Sequence, residues 1–289
     1  MEAFNFPSEF RTTNIATNGT SIYVRAGGTG PAVVLLHGYG ETGDMWAPLA
    51  VDLARDHTVV VPDLRGMGLS SKPAGGFDKK TQAGDVAGVL DELKIDRADL
   101  VTHDIGNMVG YAFAALYPNR VPRFAVIDAP LPGVGPWEKI LKNPLLWHFR
   151  FGGPDMERLV EGRERIYLDR FWNEFSANPS RFSEAARTHY SKLYAMQAQC
   201  IPVSCSLPRS AKMLSTTSNS RRRANCPCLC WQSAARNRSA RLCKDHAVCG
   251  QQRARRCNSR LWPLDYGGKP DRNDLHGTSV PRCNYITAR

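Results

Sequence analysis

The stretch "VTHDIGNMVG", Val101 to Gly110, decides how the chain folds. It reads as a strand end, a tight turn and a helix start, with a carboxylate at the turn. A nucleophile on such a turn needs small neighbours, because the backbone is strained there and packed closely. Thr102, His103, Asp104, Ile105 and Gly106 fill a small-x-nucleophile-x-small pattern. The helix behind the turn favours negative charge at its N-terminus. An aspartate placed there attacks carbon and forms an ester, which an activated water hydrolyses. The bland alternative is an Asp that only caps the following helix.

Three neighbouring segments favour chemistry. "PAVVLLHGYG" is a continuous apolar run ending in His-Gly, as a buried parallel strand would, and its turn offers backbone N–H groups for an oxyanion. "HTVVVPDLRGMGLSS" is a second buried strand with a glycine loop. "VPRFAVIDAP" is a later strand ending at Asp128. "SIYVRAGG" alternates and is expected at a sheet edge. "WAPLAVDLARD" has helical spacing, and "TQAGDVAGVLDELKI" is an amphipathic helix with Thr81 as its expected N-cap. Alternating strands and helices predict an α/β fold, a mostly parallel sheet with helices on both faces. His37, Asp63, Asp104 and Asp128 fall at or just after strand ends, where such sheets place their sites. Residues 133–199 are helical in pattern, rich in aromatics and uninterrupted by a strand, so they read as a cap over the strand ends. The expected division is a core over 1–132, a cap over 133–199 and a tail over 200–289.

Composition breaks near residue 200. Residues 1–199 hold 21 Lys+Arg and 23 Asp+Glu, net −2; residues 200–289 hold 17 and 4, net +13. All nine cysteines lie in the tail, which has no Glu and no Phe. The sequence pI near 9.4 therefore reports the tail, not the core. No run is long and apolar enough for a membrane span, and the first thirty residues lack a signal-peptide layout. A cytoplasmic protein is the expectation.

"HGYG", "PDLRGMGLSSKP" and "HDIG" together resemble α/β-hydrolases of the epoxide hydrolase group, relatives of the haloacid and haloalkane dehalogenases. The resemblance covers about residues 5–199. It implies Asp104 as nucleophile, Tyr39 and Ile105 as oxyanion-hole amides, and Asp128 as the acid orienting a histidine. His37, Asp63 and His103 would brace loops. "LLWHF" resembles a subgroup in which a cap histidine, here His148, pairs with a tyrosine to donate to the epoxide oxygen. Tyr167, Tyr190 and Tyr194 lie on the cap but not at the matching place, which falls shortly after residue 200. Read from its residues alone, His148 is equally a packed core histidine. Haloalkane dehalogenases usually carry Trp after the nucleophile, and haloacetate dehalogenases carry arginines at the positions of Ile105 and Met108. An uncharged epoxide fits this chain better than a carboxylate.

The mechanism also needs a histidine base after the last strand. The tail offers His246 and His276. His276, in "RNDLHGTSV", is the nearest candidate but lacks a preceding strand and the family context, so no intact general base is identified. "SNSRRRANCPCLCWQSAARNRSARLC" shows neither apolar strand nor amphipathic helix. Its bias is that of a misread frame in a GC-rich gene. Read two nucleotides forward, Asn225–Gln232 permits an apolar strand ending in glycine. Arg260–Pro270, shifted by one, permits a Gly-His-Trp loop, and Cys200–Met213, shifted by two, permits a cap helix. These readings lead to the expectation that residues from about 195 onward are out-of-frame, disordered or poorly packed, and that the strand around Phe124–Ile127 is left as an exposed edge. Taken at face value instead, Cys226, Cys228, Cys230, Cys243, His246, Cys249 and Cys257 suggest zinc and the basic residues suggest nucleic acid. The spacing fits zinc knuckles poorly.

The sequence reading is thus a hydrolase opening an epoxide to a vicinal diol through an ester on Asp104, with turnover in doubt for want of the base. Its expected partners are a small uncharged epoxide (or organohalide) and water, with no cofactor, metal, nucleic acid or membrane, and a homodimer left open. The alternatives are a dehalogenase with the same nucleophile and a non-catalytic binding protein on the same fold.

Overall fold

The computed structural model describes residues 5–196 and 229–231. Its sheet contains β1 (Arg11–Thr17), β2 (Thr20–Gly27), β3 (Ala32–Leu36), β4 (Thr58–Pro62), β5 (Asp99–His103), β6 (Phe124–Ile127) and β7 (Leu229–Trp231). The order is β1-β2-β4-β3-β5-β6-β7. β1 and β2 are antiparallel to their neighbours, and the remaining pairs are parallel. Asn18 and Gly19, at φ 47° and 71°, turn β1 into β2. Positive φ at both positions matches strand twist in a two-residue hairpin, which is why Asn-Gly stands there. "SIYVRAGG" is therefore not the edge; β1, whose side chains are mostly exposed, takes that place.

Alternate residues of β3 face opposite sides, the period-two rule of a strand. Val34 and Leu36 join Val60, Leu100 and Val126 beneath α2 (Lys79–Glu92) and α3 (Ile105–Leu116), against Leu90, Val109 and Phe113. Val33 and Leu35 join Val59 and Val61 on the other face, against Ala50 of α1 (Ala47–Leu53) and Trp46 just before it. The N-cap of α2 is Asp78 rather than Thr81. Its carboxylate accepts from Thr81 N at 2.9 Å and from Thr81 Oγ1 at 2.7 Å, so Thr81 is the donor to the cap.

Beyond β6, α4 (Trp137–Leu141), a 3-10 segment (Pro144–Arg150), α5 (Pro154–Val160), α6 (Glu164–Glu174) and α7 (Glu184–Ala195) follow without a strand. They have their own apolar cluster of Val160, Tyr167, Leu168, Trp172, Phe182, Tyr190 and Tyr194, with Tyr39 packed against it. Polar contacts tie this segment to the loop after β3, where the Tyr39 hydroxyl donates to that of Tyr167 at 3.2 Å. Gly40 N donates to the Tyr194 hydroxyl at 2.5 Å, and His189 Nε2 meets Asp44 Oδ2 at 2.9 Å.

β7 corrects the expectations for the tail at one place. Leu229–Trp231 pairs in parallel with β6, in register Phe124↔Leu229 to Val126↔Trp231. β6 is thus not an edge, and the tail does supply a strand. Ladder pairing is made by backbone N–H and C=O groups, so a polar-biased sequence does not forbid it. The other expectations for residues 200–289 lie outside the described residues. Among the described residues, no helix is long and apolar enough to cross a membrane and no group of three metal-ligating side chains forms.

Gly106 sets how closely α3 approaches the sheet. A Cβ there would sit 2.5 Å from Leu36 O and 2.8 Å from His37 O, both backbone atoms. Gly106→Ala is expected to destabilise the chain by about 1–3 kcal/mol, the range for overpacking a rigid site. Equal urea midpoints for variant and wild type would contradict this.

Candidate active site

Asp104 joins β5 to α3 with φ 50° and ψ −117°, a conformation that L residues avoid. Such strain costs about 1–3 kcal/mol and persists only where the surroundings impose it. Asp104 occupies the N-cap position of α3, yet its side chain makes no cap hydrogen bond. Its Oδ1 instead accepts from Tyr39 N at 2.9 Å. The capping alternative therefore fails. The turn is held from behind by Asn107, whose N–H donates to Asp104 O at 3.0 Å. Ile105 opens α3, where first-turn N–H groups lack a carbonyl partner within the helix.

Asp128 follows β6 at φ 64°. Asn107 fixes this strand end, a role the sequence did not announce. Its amide nitrogen donates to Ile127 O at 2.8 Å and Ala129 O at 3.2 Å, and its oxygen accepts from Thr102 Oγ1 at 2.7 Å. One buried side chain thus locks the chain on both sides of Asp128 to the first turn behind Asp104. The structure brings Asp104 and Asp128 around a common neighbour, since the charges of both raise the proton affinity of His103.

Tyr39 contributes more than its amide. Its ring packs edge-on against Tyr167, Phe171 and Tyr194, and its hydroxyl donates to the Tyr167 hydroxyl at 3.2 Å. Burial pushes the Tyr167 phenol up to about 12, against smaller lowering effects from Tyr39 and Arg170, so it stays protonated. His148 is buried in the 3-10 segment among Phe149, Phe171 and Phe175, with no partner on Nδ1. Burial, reinforced by Arg170, pulls its pKa down to about 4, although Asp104 acts in the opposite direction. His148 is a neutral imidazole near pH 7, a hydrogen-bond donor rather than a cation. Arg170 lies over Trp147 at 4.6 Å and Phe175 at 5.0 Å.

His37 and Asp63 brace loops. His37 Nδ1 meets Gly38 O at 2.8 Å and its Nε2 accepts from Leu64 N at 2.9 Å, which fixes a neutral tautomer. Asp63 accepts from Arg25, Gly43 N and Leu69 N, each at 2.8 Å. Lys79 at the start of α2 is buried and donates to Gln82 Oε1 at 2.8 Å. His276 and the tyrosine position after residue 200 lie outside the described residues.

The α/β hydrolase fold family model matches residues 31–199, and the chain belongs to that family. It is 33% identical over 189 residues to a soluble epoxide hydrolase of Corynebacterium sp. (strain C12), covering 62% of this chain and 65% of that protein. A fluoroacetate dehalogenase of Burkholderia sp. is 38% identical over 132 residues, 43% of either chain. Neither match reaches two thirds of the relative's length. Among solved structures, the epoxide hydrolase CorEH superposes with a TM-score of 0.63 at 28% identity, over 72% of this chain and 77% of that one. Cfl2 from Burkholderia cenocepacia gives 0.63 at 31% identity, over 75% and 77%.

Proposed function

We propose that this chain opens an epoxide by covalent attack from Asp104, with residues 133–199 acting as a cap over residues 1–132. The observation that carries the reading is the Asp104 side chain, strained at a helix start and turned away from its own helix to the Tyr39 N–H. One Asp104 oxygen forms a bond to an epoxide carbon as the carbon–oxygen bond of the ring breaks. The departing alkoxide takes a proton from the cap. His148 offers an imidazole N–H. Tyr167, which accepts from Tyr39, keeps its own O–H to donate. The resulting ester is hydrolysed when water adds to its carbonyl carbon. Tyr39 N–H and Ile105 N–H stabilise the oxyanion, the diol leaves and the Asp104 carboxylate returns. The water's proton requires a base. In the absence of a competent histidine, the ester persists, as it would if residues from about 195 are out of frame.

The test is peptide mass spectrometry after incubation with styrene oxide. The Asp104 peptide is expected to carry the alkyl adduct in the wild type and not in Asp104→Asn. An unmodified wild-type peptide sinks the proposal. The similarity to a fluoroacetate dehalogenase supports a second reading, attack on carbon–halogen bonds. Labelling by fluoroacetate but not by styrene oxide would favour it, although Ile105 and Met108 give a carboxylate no cation.

A further inference from the structure

Glu41 and His103 are buried against the nucleophile turn, and the proposed chemistry leaves both unused. Glu41 is 5% exposed and His103 2%. Glu41 Oε2 meets His103 Nδ1 at 3.0 Å and accepts from Gly38 N at 3.2 Å. The carboxylate therefore spans two elements, the loop after β3 and the last residue of β5. Gly38 lies in the angle between them. A Cβ added there would be 2.7 Å from His103 Nδ1, 2.8 Å from Glu41 Oε2 and 2.9 Å from Asp104 Cβ. The next residue in the loop is Tyr39, whose N–H is on Asp104 Oδ1.

We propose that Glu41 and His103 form a buried ion pair that positions the loop after β3, holding Tyr39 N–H on Asp104. The inference rests on Asp104 as the nucleophile. Charge-assisted bonds of this kind are short and directional, which suits a positioning role. Breaking the pair leaves Glu41 as an uncompensated buried charge, a strong force for the loop to move. The charged groups around His103 are Glu41 from the loop, Asp104 from its own turn and Asp128 from the end of β6. Burial pulls the imidazole pKa down, but Glu41 first, then Asp104 and Asp128, outweigh it and bring it to about 9. His103 is thus a cation throughout the neutral range and loses its proton only in mild alkali.

The experiment follows the rate of styrene oxide addition to the Asp104 peptide from pH 6 to 10, in the full wild-type chain and in Glu41→Gln. Glutamine preserves shape and an acceptor for Gly38 N–H but removes the charge. Histidine NMR on the same two proteins follows the His103 titration. In the wild type, labelling is expected to fall as pH rises through about 9, in step with the His103 resonance. In Glu41→Gln both transitions are expected to move down by one pH unit or more, with labelling at pH 8 reduced about twofold or more. A merely structural role would lower the rate without moving the transition. An unmoved transition, or a wild-type His103 that titrates near 6.5, overturns the inference. A wild type that is never labelled overturns the reading of Asp104, and the NMR titration then decides the ion pair alone. Should the variant fail to fold, coincidence of the two wild-type transitions decides it.

Discussion

Replacing Asp63 with alanine is expected to lower the unfolding free energy by about 3–5 kcal/mol, the range for removing one partner of a buried ion pair. Asp63 directly follows the strand β4 and is fully buried. Its Oδ1 accepts from Arg25 Nη1 and Gly43 N, and its Oδ2 from Leu69 N. Arg25, 4% exposed, would keep Asp44 as a partner but lose the carboxylate that neutralises the rest of its charge. The same carboxylate fastens two loops, the one after β3 that carries Tyr39 and the one after β4. Stability and labelling of Asp104 should therefore fall together in Asp63→Ala. Urea unfolding monitored by tryptophan fluorescence measures the first. A loss under 1 kcal/mol would show that the network is redundant.

Lys79→Met is expected to stabilise the chain, by about 3 kcal/mol at pH 6.5. Burial pulls the Lys79 ammonium down to about 7, and the charges of Asp104 and Asp78 offset only part of that. The unfolded chain holds this proton up to about pH 10.5, the ordinary lysine value. Between about 7 and 10.5 the unfolded state binds more protons than the folded one, so stability attributable to Lys79 rises with pH across that window. Below pH 7 the full penalty for a buried cation is present. The advantage of methionine should be greatest below pH 7 and shrink steadily toward pH 10.5. The lost bond to Gln82 Oε1 subtracts about 1 kcal/mol. Parallel denaturation curves at pH 6.5 and 10 separate the cases; a difference that is constant with pH would mean that Lys79 keeps its proton in the folded state up to pH 10, as it does when unfolded.

The strand-turn-helix junction at Asp104 was legible in the sequence because so tight a turn restricts residue types locally. Asp104 needs Gly106 beneath it and a glycine loop opposite, and each is visible within a few residues. The places of Tyr39 in the loop after β3 and of Ile105 at the start of α3 were legible too. The hairpin was also written plainly, in Asn18-Gly19, but "SIYVRAGG" was read without the turn before it. Glu41, Asn107 and Lys79 were not legible. Their importance comes from burial and from partners far along the chain: Glu41 meets His103 across 62 residues, and Asn107 reaches Ile127 across 20. No local pattern reports such distances. The helical spacing of "TQAGDVAGVLDELKI" implied a polar face in solvent, yet Lys79 and Gln82 just at its start are buried. β7 was illegible for a different reason. Its pairing depends on a vacant row of backbone groups along β6, which is a property of the sheet and not of "LCW".

That last strand gives the sheet a direction as well as a cover. β7 runs parallel to β6, so Trp231 lies level with Val126, two residues short of Asp128. The polypeptide is thus delivered to the same rim on which Asp104 and Asp128 stand. Its arrival there is dictated by the polarity of the backbone, whatever side chains the strand bears. For protein engineering, Trp231 is the graft point: a histidine-bearing loop joined after it starts at the rim where the reaction would take place.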